Sequence, residues 1–268
     1  MPKFRYKRGE KVKKGTKHIV SLSGRKDSTA MLLRMLEEGM PVDIILFCDT
    51  GLKFEAMYRH IDKLEQYIDR PITRLKSDKS FEYLFFDHMP RRKNPELEGR
   101  HGFGWAGPHN RWCTAMLKTR IIDRYLREIS KEYDIVQYIG IAADEPHRIH
   151  EFRYPLVEWG MTEADCLAYC KEHGFDWDGL YDIFRRVSCW CCPLQSLEEL
   201  RKLRRHFPEL WERLRYMDKH TWRTFLKNYS VEQLEVRFAF EEERTARGLP
   251  IKGKDFFAEL KEKLKEVS

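Results

Sequence analysis

Six consecutive residues, Ser23-Gly24-Arg25-Lys26-Asp27-Ser28, hold the densest phosphate-binding chemistry in the chain. Gly24 allows close backbone approach, Ser23 and Ser28 offer hydroxyl donors, and Lys26 supplies positive charge. The apolar run over residues 17–23 precedes them and an amphipathic run opens at Ser28, so they read as a strand-to-helix turn. A turn so placed aims backbone N–H groups and the helix dipole at an anion. The spacing is too short for a Walker loop. Arg25 sits where a left-handed backbone would be strained, or it adds a phosphate contact of its own. A second apolar run, 42–48, ends in Asp49-Thr50-Gly51, where Asp49 could accept from a ribose hydroxyl or hold Mg²⁺ with Asp27 on the phosphates.

Cysteine usage gives a second centre. Of seven cysteines, Cys189, Cys191 and Cys192 fall within four residues, and Cys113 stands some 75 residues earlier. Such crowding in a cytosolic chain points to metal ligation or redox chemistry rather than to a disulfide framework. Four thiolates suit an iron–sulfur cluster, and they also suit structural zinc. Cys48, Cys166 and Cys170 occupy strand or helix positions and read as small buried hydrophobes, the last two sharing a helix face at i, i+4. His109 and Arg111 precede Cys113 at an expected helix N-terminus, where the dipole favours the thiolate.

The elements that must position these groups follow from periodicity. Strands are expected over 17–23, 42–48, 71–75 and 135–141, with helices from Ser28 to a stop at Gly39, over 55–68 and over 113–131. Near-continuous apolar strands alternating with helices predict a Rossmann-like three-layer α/β/α sandwich with a mainly parallel sheet. Ligands in such sheets bind at the carboxyl ends of the strands, where the two loaded turns lie. Residues 86–112 read as a long irregular loop, with Phe103 and Trp105 between glycines facing a ligand. After Pro193 charged amphipathic segments over 197–206, 208–227, 231–247 and 253–266 predict a helical C-terminal part. The division expected is a basic arm (1–16), a nucleotide-binding domain with the cysteine cluster (17–195) and a helical region (196–268).

Charge and hydropathy bound the function. The formal net charge is +7, and the first 17 residues alone carry eight basic residues against Glu10. That arm is a solvated tail or a contact to nucleic-acid phosphates, and Arg91-Arg92-Lys93 adds to the second reading. No run of about 18 apolar residues occurs, so no membrane partner is expected, and a soluble cytoplasmic protein is. The oligomeric state is not set by the sequence.

The six-residue turn closely resembles the PP-loop of the adenine-nucleotide alpha-hydrolase superfamily, usually Ser-Gly-Gly-Lys-Asp-Ser. That superfamily includes ATP pyrophosphatases and the adenylyl- and phosphoadenylyl-sulfate (PAPS) reductases. Four further segments resemble the reductases in the same order: Asp49-Thr50-Gly51 with Phe54-Glu55, Arg111-Trp112-Cys113 with Lys118, Gly140-Ile141 through Arg148, and Ser188-Cys189-Trp190-Cys191-Cys192. The resemblance implies nucleotide contacts from Ser21, Ser23, Gly24, Arg25, Lys26, Asp27, Ser28, Asp49, Thr50, Gly51, Gly140 and Arg148. It implies chemistry at Lys26, Asp27, Cys113 and Arg148. It also implies an iron–sulfur site from Cys113, Cys189, Cys191 and Cys192, or from three of them with one iron left open to sulfide or substrate. ATP or an adenylyl sulfate would be the substrate, with Mg²⁺. Three activities stay open: ATP cleavage at the α-phosphate for sulfur transfer, sulfonucleotide reduction releasing sulfite, and nucleotide or iron–sulfur binding without turnover. The partner is an adenine nucleotide, with a nucleic acid or a sulfur-carrier or thioredoxin-like protein as further candidates. Those reductases act through a cysteine in a Glu-Cys-Gly-type tail, whereas Cys192 is the last cysteine here.

Overall fold

A computed structural model describes residues 13–92 and 94–267. The arm residues up to Val12, and Lys93, lie outside that range. The described residues divide into two compact units, the first formed by 13–78 and 113–182 and the second by the described residues of 79–112 and 183–267.

In the first unit four strands form a parallel sheet: β1 (Thr16–Leu22), β2 (Ile44–Asp49), β3 (Ile72–Lys76) and β4 (Asp134–Ile139). Their order is β3-β2-β1-β4. The register pairs Val20 with Ile45 on one side and Tyr138 on the other, and Leu22 with Phe47. Helix α1 (Lys26–Glu37) joins β1 to β2, and α2 (Glu55–Ile68) joins β2 to β3. Helix α3 (Arg120–Ser130) leads into β4 from a π turn over Ala115–Thr119, and α4 (Glu163–Glu172) follows it. Right-handed crossovers place α1 and α2 on one face and α3 on the other, because the chain moves outward from β1 twice and then returns past it to β4. The strands bury both faces, with Ile19, Val20, Ile45, Leu46 and Phe47 at most 3% exposed against Met31, Leu32, Met35 and Ile61. The expected three-layer α/β fold is therefore present.

Local rules set the ends of these elements. Gly39, at φ +66, stops α1 as expected. Thr162 caps α4 in a full capping box with Asp165, whose side chain answers the Thr162 amide. The strand order changes direction between β1 and β4, the kind of place where such sheets bind ligands at their carboxyl ends, and the six-residue turn follows β1 there.

The second unit carries helices α5 (Leu197–His206), α6 (Pro208–Lys219), α7 (Val231–Ala246) and α8 (Lys254–Lys265). The helix expected over 208–227 stops at Lys219, and the chain is irregular to Ser230, which caps α7 in a second capping box. The segment read as irregular from 86 onward has more structure than expected. A π turn over Tyr83–Asp87 accepts amides from the returning loop, with Phe103 N to Leu84 O at 2.9 Å and Gly104 N to Phe85 O at 3.1 Å. Trp105 does not face a ligand. It is 1% exposed and its indole N–H donates to Asp218 at 2.8 Å, making it a core residue of this unit.

Candidate nucleotide site

Gly24 is where the turn needs a glycine. Its φ is +78, and a Cβ there would stand 2.9 Å from Ile61 Cδ1 of α2. Arg25 is extended, at φ −87 and ψ 165, so the strain expected at a non-glycine residue is absent. The left-handed step falls one residue earlier, on Gly24.

Both serine hydroxyls turn inward. Ser28 Oγ donates to Arg25 O at 3.1 Å and accepts from Ser23 N at 3.1 Å. A hydroxyl has one proton, so Ser23 is the donor in the 2.9 Å Ser23–Ser28 contact. The two hydroxyls thus hold the turn in shape. Among the first helical amides, Lys26 N donates to the Tyr181 hydroxyl at 3.0 Å and Thr29 N to Arg25 O at 3.0 Å. The Asp27 and Ser28 amides, second and third in α1, have no acceptor within the helix and carry the positive end of its dipole.

Other elements lock the turn. Gly140, the first residue after β4, lies so close that a Cβ on it would meet Ser28 Cα at 2.7 Å and Ser28 N at 2.8 Å. Trp177 Nε1 donates to Gly24 O at 2.8 Å, and Lys53 Nζ to Ser23 O at 2.9 Å. Trp177 and Asp178 both have positive φ, 54° and 52°, a conformation that costs about 1–3 kcal/mol per non-glycine residue. Behind α1, His60 Nε2 meets Thr29 Oγ1 at 3.0 Å and stacks on Trp177, with centroids 4.4 Å apart. Burial, aided by the Lys63 charge, pushes the His60 pKa down to about 3, so this ring is neutral.

The charged residues are already engaged. Lys26 is 6% exposed and Asp27 4%, and the Lys26 ammonium stands 3.0 Å from Asp27 Oδ1 and 3.0 Å from Glu163 Oε2. One buried cation between two carboxylates is a stable arrangement, and an incoming phosphate must compete for it. Asp49 Oδ1 accepts from Gly51 N and from the Tyr58 hydroxyl, each at 2.8 Å, and Thr50 is buried. Ser21 Oγ takes the Gln137 side-chain amide at 2.7 Å, across to β4. Arg148 is half-buried and paired with Glu145. The structure thus gathers 21–28 and Gly140 into one corner, with the β2 turn tied to it through Lys53.

Sequence reading missed Tyr181, Trp177, Lys53 and Glu163 as neighbours of the turn. Trp177 and Tyr181 reach it across more than 150 residues, and a lone aromatic beside acids carries no signal for that.

The cysteines divide between the units. Cys113 lies in the first and Cys189, Cys191 and Cys192 in the second. The 189–192 segment is a tight turn, with Cys192 N on Cys189 O at 3.2 Å and the Gln195 side-chain amide on the Trp190 carbonyl at 2.9 Å. Cys191 is buried, and the other two are half-buried. Thiols alone are the donor chemistry of iron–sulfur or zinc. Among the described residues, no three His, Cys, Asp or Glu side chains converge on a metal position. Cys166 and Cys170 are buried as expected. Burial raises the Cys166 thiol to about 12 and the Cys170 thiol further, and Cys170 Sγ donates to Lys26 O at 3.5 Å. Both stay protonated.

Residues 17–195 match the phosphoadenosine phosphosulfate reductase domain family. An uncharacterised protein of Methanocaldococcus jannaschii is 27% identical over 82% of this chain and 43% of its own length. A second from the same organism is 24% identical, over 82% and 50%. An uncharacterised nin region protein of Escherichia phage lambda is 28% identical, over 59% and 60%. The chain spans half or less of the length of the first two relatives. A crystal structure of PAPS reductase from Candida auris, in complex with phosphate, has a TM-score of 0.46 at 17% identity, covering 65% of this chain and 81% of that one. Among the described residues no helix is long and apolar enough to cross a membrane.

Proposed function

Because the chain belongs to the phosphoadenosine phosphosulfate reductase domain family, within the nucleotide-binding PP-loop superfamily, we propose that the turn at 23–28 grips the phosphates of an adenine nucleotide. The observation that carries this is the seating of Gly140 against the first turn of α1. With the turn held there, the Asp27 and Ser28 amides and the helix dipole would be the donors to the phosphates, at the carboxyl ends of β1 and β4 where ligands of such sheets bind.

The reaction we favour is cleavage of ATP between its α- and β-phosphates. An acceptor oxygen is adenylated, and a sulfur nucleophile then displaces AMP. Catalysis would rest on position and charge: backbone amides hold the phosphates, while Lys26 and Arg148 leave their carboxylate partners to offset charge developing on the leaving pyrophosphate. Asp27 and Asp49 would carry Mg²⁺. Cys113 in the first unit and Cys189, Cys191 and Cys192 in the second are the thiols an iron–sulfur cluster would take as ligands, and no step of this reaction is routed through it. The residues' own part is to exclude competing water and keep the nucleotide fixed. The acceptor is an open choice between a nucleic acid and a small molecule.

The test is anaerobic purification with iron, sulfide and zinc analysis, followed by incubation with ATP and, separately, with adenylyl sulfates. AMP and pyrophosphate from ATP support this reading. Sulfite from an adenylyl sulfate would replace it with reduction, and tight nucleotide binding without any product would make the protein a binding module.

A further inference from the structure

The second unit holds a pair of guanidinium groups that share one indole and, among the described residues, form no salt bridge. Trp222 is half-buried, and its indole N–H is fixed on Gly102 O at 3.2 Å. The Arg92 guanidinium carbon lies 4.9 Å from the centroid of that ring, and the Arg100 carbon 5.6 Å from it. Cation–π attraction explains why each cation sits on the indole. It does not explain why two of them share it, since like charges brought together in partial burial repel.

The hydrogen bonds sharpen the point. Arg92 Nη2 donates to the carbonyls of Arg100 and Gly102, so one edge of its fork is fixed on backbone. Its Nε is buried and has no partner. Burial, first, and the Arg100 charge hold the Arg92 pKa below its ordinary value. Among the described residues neither guanidinium forms a salt bridge, although Arg residues elsewhere in this unit do, as Arg204 does with Glu235. Two guanidinium groups on one indole, without a carboxylate among the described residues, are an arrangement a tetrahedral oxyanion completes, because the planar fork of the exposed Arg100 matches its paired oxygens.

We propose that Arg92 and Arg100, assembled on Trp222, form a phosphate-binding site in the second unit. The phosphate belongs either to a small phosphorylated molecule or to a nucleic-acid backbone. The site does not depend on the reading of the 23–28 turn.

The experiment uses the full chain, first saturated with a non-hydrolysable ATP analogue so that the turn is occupied. Inorganic phosphate is then titrated by calorimetry into the wild type, Arg100→Gln and Arg92→Gln/Arg100→Gln. Arg100 is exposed and its guanidinium holds no backbone, so Arg100→Gln tests the site even if the double variant folds poorly. We expect phosphate affinity to fall by about 10-fold in Arg100→Gln, and heat from this site to vanish in the double variant. In parallel a 12-nucleotide single strand is titrated at several salt concentrations. A log K against log salt slope smaller by about 1.4 in the double variant, two contacts at about 0.7 each, assigns the site to a nucleic-acid backbone. An unchanged slope with lost phosphate binding assigns it to a small phosphorylated molecule. Equal phosphate affinity in wild type and both variants overturns the proposal. If the analogue fails to bind while phosphate binding still follows Arg100, the turn reading falls and this one stands.

Discussion

Gly140→Ala isolates the packing that holds the nucleotide turn. Its φ lies outside the left-handed region, so alanine fits the backbone conformation and the effect is purely steric. The new methyl would sit 2.7 Å from Ser28 Cα, 2.8 Å from Ser28 N and 3.0 Å from Asp27 C, where ordinary contact begins at 3.4 Å. Relief therefore needs a shift of 3.4 − 2.7 = 0.7 Å. All three atoms are main chain of the first turn of α1, so no rotamer change can provide it. Overpacking of this kind costs about 1–3 kcal/mol of stability. The same shift displaces the Asp27 and Ser28 amides relative to a bound phosphate. Misplacement by about 1 Å can cost roughly 100-fold where geometry governs, and we expect ATP affinity to fall at least about 10-fold. Gly107→Ala is the control, since its methyl would meet only the tip of the Arg223 side chain at 3.0 Å. Urea unfolding gives the stability, calorimetry with Mg²⁺-ATP the affinity, and amide NMR shifts of Asp27 and Ser28 the displacement. A Gly140→Ala protein that binds ATP as the wild type does, with those amides unmoved, would refute the assignment of the turn.

Trp177→Phe removes the donor to Gly24 O and strands a buried carbonyl, for an expected loss of about 1–3 kcal/mol in urea unfolding and weaker ATP binding. Unchanged binding would show that the indole does not hold the turn. His60 titrates near 3 when folded and near 6.5 when unfolded, so the unfolded chain binds more protons between those values. Its contribution is complete above about pH 6.5 and lost as pH falls toward 3, with a ceiling of several kcal/mol. A His60→Gln protein should show a flatter fall in urea midpoint from pH 7 to 4, and equal slopes would contradict the neutral ring. Cys113→Ser and Cys192→Ser should each lower iron and sulfide content after anaerobic purification, and unchanged content in either excludes that cysteine as a ligand. Removing Mg²⁺ should weaken ATP binding by about 10-fold or more, because Asp27 and Glu163 release Lys26 readily only when another cation takes its place. EDTA-insensitive binding would show that Lys26 never leaves them.

The fold was largely legible because its signals are local. The apolar run 42–48, seen as strand Ile44–Asp49, and the stop at Gly39 each depend on a few neighbouring residues, and each stands within two residues of where periodicity places it. Errors arose where tertiary contacts decide. Trp105, in a glycine-rich loop, reads as facing a ligand, yet Asp218, more than a hundred residues on, holds its indole in the core. The long helix expected from 208 stops at Lys219, where Asp218 instead caps Val231 N at 2.6 Å. Within the site, residue types pointed to the turn, but not to which atoms in it face an anion. Ser23 and Ser28 look like ligands and act as internal ties, while Tyr181 takes an amide that the motif leaves for phosphate.

Those ties bear on why an arginine is accommodated at position 25. If side chains of the turn did the gripping, a bulky cation in place of the usual second glycine would alter the recognition. The ties run instead through Gly24, Ser23, Ser28 and the main chain of Lys26, and Arg25 contributes main chain only, its extended backbone placing its amide on Ser23 Oγ at 3.3 Å and its carbonyl on Ser28 Oγ at 3.1 Å. On the proposed reading, with both hydroxyls committed to the turn, an anion would meet main-chain amides at a helix N-terminus, and Lys26 once it leaves its carboxylates. Recognition of that kind is indifferent to the residue at 25 as long as its φ stays negative and Gly24 keeps the left-handed step. The substitution thus changes the surface of the turn and leaves its donors in place.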